Sequence, residues 1–220
     1  MRRPHTVIDL FGTPEALRRH PELTSAAERV SPVTGAALAS LGQTVTPQGL
    51  VAVCRYVDVD LPAQSPRLAV LLAGIADPGN AGTVLRTADA AGADLVVFPD
   101  GTVDPYNGKA VRASAGSLFH VPVVRGGDAV QAVEALRAAG LRVYAADARG
   151  DTDLESLAGT GGLGARTTWI FGSEAHGLPG EVAAAADARV RVPIYGRAES
   201  LNLAAAAAVC LYASARSLHS

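Results

Sequence analysis

The stretch VPIYGRAESLNLAAAAA, residues 192–208, connects an apolar, strand-like segment to a segment rich in small residues. Pro193 and Gly196 interrupt the strand pattern, and Ser200 is the expected N-cap of a helix over about residues 201–217. The small side chains of that helix permit the close approach of a neighbouring backbone. Taken alone, the segment is typical of an alanine-rich core helix, so its meaning depends on the loops upstream.

The composition is that of a globular chain. The 220 residues are 49% hydrophobic and 18% charged, with a formal net charge of −2. No apolar run is long enough to span a membrane and no signal-peptide pattern is visible, which predicts a cytoplasmic protein. Cys54 and Cys210 are isolated, so we expect neither a disulfide framework nor a metal site. The net charge gives no global support for nucleic-acid binding, although binding footprints are local.

The apolar pattern divides the chain into three parts: a small α/β unit over residues 1–58, a linker over 59–66, and a longer α/β domain over 67–220. In the last part, strands and helices alternate as in a parallel sheet covered by helices on both faces. Such sheets bind ligands at the carboxyl ends of their strands. We expect strands over residues 68–75, 94–98, 121–124, 142–146, 167–171 and 189–194, and helices over 80–91, 129–139, 179–186 and 201–217.

The first distinctive loop is DPGNAGTVLRT, residues 77–87, which follows the first long apolar run. Asn80 is expected to cap the next helix, Gly82 to allow a close approach, and Arg86 to lie two turns inside. The loop matches neither the dinucleotide fingerprint nor the P-loop, which argues against a dehydrogenase or a similar nucleotide-cofactor enzyme. From the residues alone, an ion pair between Arg86 and a nearby carboxylate explains that arginine equally well.

A second loop, FGSEAHGL over residues 171–178, also follows an apolar strand. Its two glycines allow backbone groups to line a cleft. Glu174 is a candidate base or a helix-terminal carboxylate. His176 has no His or Cys neighbour at metal-binding spacing and is expected to be an exposed loop residue.

The three loops together resemble the motifs of the SpoU-type, TrmH-like branch of the SPOUT methyltransferases. N-x-G-x-x-x-R-T stands at residues 80–87, G-S-E-x-x-G-L at 172–178, and P-x-x-G-x-x-x-S-L-N at 193–202. Each motif is modestly specific, and the ordered set covers the chain from residue 68 to its C-terminus. Members of this family transfer a methyl group from S-adenosylmethionine to a ribose 2′-hydroxyl of RNA.

The resemblance implies a deep trefoil knot in the α/β domain, with the cofactor bent within the knotted loops, and a homodimer that binds RNA across its interface. Ribosomal RNA is the expected substrate, and residues 1–58 resemble the latter part of a ribosomal-protein-like RNA-binding domain whose opening strand and helix are missing. The site residues carried over by the resemblance are Asn80, Arg86, Glu174, Ser200 and Asn202 for catalysis, Ala146, Asp147, Gly172, Val192, Ile194 and Leu201 for the cofactor, and Lys109 and Arg112 for RNA.

Within the resemblance, Arg86 is expected to orient the ribose hydroxyl, because the pKa of arginine is too high for a free base. Asn80 would fix Arg86 or the ribose, while Glu174, Ser200 and Asn202 would hold the loops and the target nucleotide. Three alternatives stay open: a transfer-RNA ribose, a base rather than a ribose, and an RNA-binding relative without catalysis.

Overall fold

A computed structural model of the chain describes residues 6–42, 48–61 and 66–219. The chain divides into two compact units, residues 1–57 and 58–220. Residues 62–65 of the predicted linker, and residue 5 at the start of the first predicted strand, lie outside the described ranges. Asp58 forms a parallel bridge with Val123, and the Val59 N–H donates to the Val123 carbonyl, so residues 58 and 59 are attached to the second unit.

In its described residues, the first unit is a three-stranded sheet with three short helices. Strand β1 (Val7–Gly12) lies in the middle, parallel to β2 (Ala27–Pro32) and antiparallel to β3 (Leu50–Cys54). The helices are α1 (Pro14–Arg19), α2 (Pro21–Ala26) and α3 (Gly35–Leu41). The Thr13 and Thr34 hydroxyls cap α1 and α3, as threonine commonly does before a helix.

The second unit is a seven-stranded sheet in the order β6-β5-β4-β9-β7-β10-β8, and every pairing in it is parallel. Its strands are β4 (Leu68–Ala73), β5 (Leu95–Phe98), β6 (Val123–Arg125), β7 (Arg142–Ala146), β8 (Thr152–Asp153), β9 (Thr167–Gly172) and β10 (Ala188–Arg191). Its helices are α4 (Pro78–Ala90), α5 (Gly108–Ala113), α6 (Ala129–Ala138), α7 (Leu154–Gly159), α8 (Gly180–Ala185) and α9 (Leu203–Leu218), with a 3₁₀ turn at Ser117–Phe119.

Helices cover both faces of this sheet, as the alternation predicts. Leu71 of β4 belongs to a buried cluster with Leu136 of α6 and Val182 of α8 on one face. On the other face, the buried Trp169 indole N–H donates to the Ser214 hydroxyl of α9 at 2.9 Å. Because both faces of the strands are covered, β4 is buried along its whole length.

Three local predictions are wrong at their boundaries. The α4 N-cap is Asp77, whose carboxylate accepts from the Asn80 N–H, so the Asn80 side chain is not used as a cap. The α9 N-cap is Asn202, whose Oδ1 accepts from the N–H groups of residues 204 and 205, whereas Ser200 lies two residues earlier in an exposed loop. Strand β10 ends at Arg191 rather than Ile194, because Pro193 has no N–H to donate to a ladder.

Among the described residues, no helix is long and apolar enough to cross a membrane.

Candidate active site

Four loops meet at one edge of the second sheet. Strands β4, β9, β7 and β10 are consecutive neighbours and all parallel, so their carboxyl ends lie side by side. The loops that follow these strands, residues 74–77, 173–179, 147–151 and 192–202, therefore lie close together. This edge is where parallel sheets bind ligands.

The Asn80 side chain connects the three sequence motifs. Its Nδ2 donates a short hydrogen bond to Oε1 of Glu174, in the loop after β9. Its Oδ1 accepts from Nδ2 of Asn202 at 3.4 Å, at the start of α9. The fold thus brings together three of the five predicted catalytic residues. Their contacts span the sequence, which no local pattern could show.

Arg86, six residues after Asn80 on α4, forms no hydrogen bond with this cluster. Its side chain is exposed on α4, and within the described ranges it forms no hydrogen bond or ion pair. The alternative that Arg86 merely pairs with a neighbouring carboxylate is therefore not realised. Its guanidinium group is available for a ligand. Ser200 is also exposed and, among the residues described, its hydroxyl has no hydrogen-bond partner.

The predicted RNA-binding residues lie on α5, directly against α4. Gly82 makes this contact possible, because a Cβ at that position would overlap the Ala110 carbonyl oxygen and lie 2.7 Å from Cβ of Ala113. Lys109 Nζ donates to Oδ2 of Asp77 at 2.7 Å. Arg112 is exposed and, like Arg86, makes no ion pair with the described residues.

Asp77 is the residue of this region that the sequence analysis did not single out. The Lys109 ammonium, followed by the Asn80 backbone N–H, lowers the pKa of the Asp77 carboxyl group. One signal for it exists in the sequence, since an Asp directly before Pro78 at the first helical position is a typical N-cap pattern.

The loop after β9 has a backbone arrangement that only glycine permits. A Cβ at Gly172 would lie 2.6 Å from the Gly177 carbonyl and the Leu178 nitrogen. Ser173 and Gly177 exchange backbone hydrogen bonds of 3.0 and 2.8 Å, and Gly177 has a φ of +70°. Backbone groups rather than side chains therefore shape this wall of the site.

The loop after β7 is docked against β10. The Asp147 N–H donates to the Val190 carbonyl at 3.0 Å, and its carboxylate lies 3.7 Å from the Arg189 guanidinium. Ala146 is half-buried at the end of β7, next to this contact. Both predicted cofactor residues of this loop consequently lie at the shared edge.

The loop over residues 192–202 has the chemistry that S-adenosylmethionine requires. Within the described chain, the backbone groups of residues 194–201 make no hydrogen bond, which leaves donors and acceptors for an adenine edge. Ile194 and Leu201 are 37% and 39% exposed, while Val192 is half-buried. These side chains offer apolar surface to a purine face and a methionine chain. The donor set therefore fits the cofactor.

The loop over residues 192–202 also forms a hydrogen bond with α7, and the sequence motifs do not predict this contact. The Tyr195 hydroxyl donates to Oε1 of Glu155 at 2.6 Å, although the Tyr195 ring is 80% exposed. Hydrogen bonding to the Glu155 carboxylate raises the pKa of Tyr195 above its ordinary value. No sequence signal pairs these two residues, which lie on separate elements.

The described residues contain no group of three or more His, Cys, Asp or Glu side chains placed to hold a metal ion.

The parallel sheet and the loop cluster at its carboxyl edge define an α/β protein with a ligand site at the ends of its strands. The model of the SpoU rRNA Methylase family matches residues 67–212, and the chain belongs to this family. It is 39% identical over 176 residues to the 23S rRNA (guanosine(2553)-2′-O)-methyltransferase RlmP of Bacillus subtilis, covering 80% of this chain and 68% of that protein.

Two further relatives extend the comparison. The 23S rRNA (guanosine-2′-O-)-methyltransferase RlmB of Bordetella pertussis is 30% identical over 198 residues, covering 87% of this chain and 79% of that protein. The crystal structure of the SpoU methyltransferase AviRb from Streptomyces viridochromogenes in complex with the cofactor AdoMet matches with a TM-score of 0.82 and 32% identity. That match covers 96% of this chain and 82% of the other.

Proposed function

We propose that this chain is an RNA 2′-O-methyltransferase that uses S-adenosylmethionine to methylate a ribose of ribosomal RNA. The observation that carries the proposal is the contact of Asn80 with both Glu174 and Asn202. Arg86, on the same helix as Asn80, has a side chain without a partner in the described chain. The named relatives act on ribosomal RNA at the ribose 2′ position, which supports the same substrate class here.

The cofactor supplies an electrophilic methyl group on a sulfonium sulfur. The new oxygen–carbon bond would form as the carbon–sulfur bond breaks, leaving S-adenosylhomocysteine, with the hydroxyl proton passing to an adjacent RNA phosphate or to water. The protein must place the ribose hydroxyl in line with the methyl group and stabilise the negative charge that develops on its oxygen. Arg86 is the proposed residue for both tasks, since its guanidinium group stays protonated and donates several hydrogen bonds. Asn80, held from two sides by Glu174 and Asn202, fixes the geometry next to the ribose. Ser200, exposed in the same loop, is proposed to contact the target nucleotide.

The cofactor is proposed to lie against the free backbone of residues 194–201. Its adenine edge would meet backbone groups there, with Val192, Ile194 and Leu201 supplying apolar contact. Gly172 and the pair Ala146 and Asp147 are proposed to form the adjoining walls.

Lys109 and Arg112 are proposed to contact RNA phosphates. Lysine has three donors and only one is used by Asp77, so two remain for a phosphate. Phosphate contacts carry affinity without sequence information, so replacing both residues by glutamine should raise the KM for RNA and reduce its salt dependence. An unchanged KM would contradict this assignment.

The first unit, residues 1–57, is proposed to be a ribosomal-protein-like domain that also contacts RNA. Crosslinking of bound RNA to the full chain should then yield peptides from this unit. Crosslinks confined to the second unit would count against it.

A homodimer is proposed as the working form, in the cytoplasm where ribosomal RNA is processed. Helix α9 supports it, because Val209 and Tyr212 are 43% and 54% exposed. Exposed apolar side chains of this kind commonly mark an interface. Sedimentation as a 22.4 kDa monomer would contradict the dimer. Recovery of the protein in a membrane fraction would contradict the proposed cytoplasmic location.

The deep knot also remains a proposal. After β10, which pairs with β7 and β8, the chain returns so that α9 packs against α4 and β9. Residues 192–202 therefore lead from the end of β10 past β7 towards β9, which supports a threaded path. An experimental structure in which this segment passes outside the loop after β9 would exclude the knot.

Calorimetric titration with S-adenosylhomocysteine, the demethylated product, tests the cofactor site. We expect saturable binding of one molecule per chain, abolished by Leu201→Arg because a charged side chain would enter the apolar wall. Leu23→Arg is the matched control, since Leu23 is 40% exposed in α2 of the other unit and Leu201 is 39% exposed. Failure of the folded wild type to bind would contradict the proposal and favour an RNA-binding relative without catalysis.

A further inference from the structure

The Asp77 carboxylate uses both of its oxygens at the edge of the site. Oδ1 accepts from the Asn80 backbone N–H at 2.8 Å, and Oδ2 accepts from Lys109 Nζ at 2.7 Å. The first contact fixes the opening turn of α4, and the second fixes α5 against it. A single side chain thus joins the predicted RNA-binding helix to the backbone of a predicted catalytic residue.

Asn80 has little freedom once its backbone is held in this way. It lies in the first turn of α4, two residues after Pro78, and its side chain must span to Glu174 and Asn202 at the same time. The contact to Asn202 is long, at 3.4 Å, so a small shift of the opening turn would break it. The cluster therefore depends on where Asp77 places the Asn80 backbone.

Helix α5 packs directly against α4. Gly82 leaves no space between α4 and the Ala110 carbonyl, so the two helices are in backbone contact. Lys109 directly precedes Ala110 and also packs over Gly79, where a Cβ would lie 3.0 Å from Cε of Lys109. An RNA phosphate bound by the remaining Lys109 donors would therefore be linked to the Asn80 backbone by hydrogen bonds through the Asp77 carboxylate alone.

We propose that Asp77 is a positioning residue for methyl transfer: it links Lys109 to the Asn80 backbone and so holds the Asn80 side chain against Glu174 and Asn202. The inference rests on the proposed function for its catalytic consequence. It adds a residue that touches neither RNA nor cofactor and acts through Asn80.

The test separates the two contacts by substitution. Asp77→Asn keeps an oxygen for the Asn80 N–H and loses the ion pair, whereas Asp77→Ala loses both. With unmodified ribosomal RNA made by in vitro transcription and labelled S-adenosylmethionine, we expect kcat to fall roughly tenfold in Asp77→Asn and roughly a hundredfold in Asp77→Ala, because misplacement by about 1 Å can cost that much. Affinity for S-adenosylhomocysteine should stay within about twofold, since Asp77 does not line the cofactor loop.

A double-mutant cycle shows whether the ion pair carries the effect. Lys109→Met should lower kcat as Asp77→Asn does, and the double variant should be no slower than the slower single variant. Lys109→Arg, which can still pair with Asp77, should restore most of kcat. Fully additive losses would overturn the link between Lys109 and Asp77.

Asp128 supplies the matched control, because its carboxylate caps α6 through the Gln131 N–H at 2.8 Å on a helix that packs elsewhere. Asp128→Asn and Asp128→Ala should leave kcat unchanged. The Asp77–Lys109 pair is exposed and adds little stability, so Asp77→Asn should melt near the wild type. A kcat loss that merely follows the melting temperature, or a wild-type kcat in Asp77→Asn, would overturn the proposal.

A second readout does not need activity. The side-chain amide signals of Asn80 in ¹⁵N NMR spectra should shift in Asp77→Asn and remain in place in Asp128→Asn. If the wild type methylates no RNA yet these signals shift, the proposed function fails while control of Asn80 by Asp77 stands. If the signals do not shift, the positioning role is wrong whatever the activity.

Discussion

Asn202 has two tasks that usually fall to different residues. Its Oδ1 caps α9 by accepting from the N–H groups of Ala204 and Ala205, at 2.9 and 3.4 Å, while its Nδ2 donates to Asn80. A serine can perform the first task but is too short for the second. The two tasks can therefore be separated by substitution.

Asn202→Ser should keep nearly the stability of the wild type and lose most of the methyl transfer activity. Asn202→Ala should lose the cap as well, at a cost of about 1 kcal/mol in the free energy of unfolding. Denaturant unfolding and kcat, measured on both variants, check this. Equal activity in Asn202→Ser and the wild type would show that the contact to Asn80 is not needed.

For individual site residues, the sequence predicted which residues matter but not which atoms they contact. Asn80, Glu174 and Asn202 were expected from the motifs, yet the caps were assigned to Asn80 and Ser200 and proved to be Asp77 and Asn202. The reason is physical, because Asp, Asn and Ser are all good N-caps. A shift of two or three residues decides which side chain remains free for chemistry.

Among the elements, the contact between α4 and α5 depends on Gly82. The backbone of α5 lies where a side chain at Gly82 would be, so the glycine of the first motif serves helix packing and not a ligand. This contact positions Lys109 beside Asp77.

Gly82→Ala should push α5 away and destabilise the fold by about 1–3 kcal/mol through overpacking. It should also raise the KM for RNA more than it weakens binding of S-adenosylhomocysteine. Gly180→Ala at the start of α8 is the control, because a Cβ there meets no atom within 4 Å. Comparable melting temperatures for the two variants would contradict the packing argument.

Most helices and strands of the second unit were predicted close to their observed positions, and three elements of the chain were missed. The strand at residues 142–146 matches β7, and the helix at 129–139 matches α6 within a residue. Helix α2, strand β8 and helix α7 were not expected, although α8 and β6, which are as short, were. Segments of this length show little periodicity, so their recognition depends on flanking turn residues.

For the whole molecule, the alternating pattern predicts a parallel sheet but not its order. Strand β9 pairs with β4, although the chain forms β5, β6, β7 and β8 between these two strands. Such pairing is decided by tertiary packing. The alternation of strands and helices therefore predicts that the site lies at the carboxyl edge of the sheet. Which loops meet at that edge depends on the strand order, which only the structure shows.

The thiol of Cys210 should report on the integrity of the α9 packing. Burial raises its pKa to about 12, so at pH 8 only about one thiol in ten thousand is the reactive thiolate. Burial also raises the pKa of the half-buried Cys54 thiol. Iodoacetamide at pH 8 should modify Cys54 slowly and Cys210 only when α9 detaches, as followed by peptide mass spectrometry. Equal labelling rates at both cysteines in the folded protein would mean that α9 is not stably packed.

The central claim is methyl transfer to a ribose, and one product analysis tests it directly. Wild-type protein is incubated with methyl-labelled S-adenosylmethionine and unmodified ribosomal RNA, and the RNA is then hydrolysed with alkali. A 2′-O-methyl group blocks attack of that oxygen on the next phosphate, so the label should appear in an alkali-resistant dinucleotide, and Arg86→Ala should reduce it by about a hundredfold or more. Label in mononucleotides would show methylation of a base, and wild-type yield from Arg86→Ala would contradict the role assigned to that arginine.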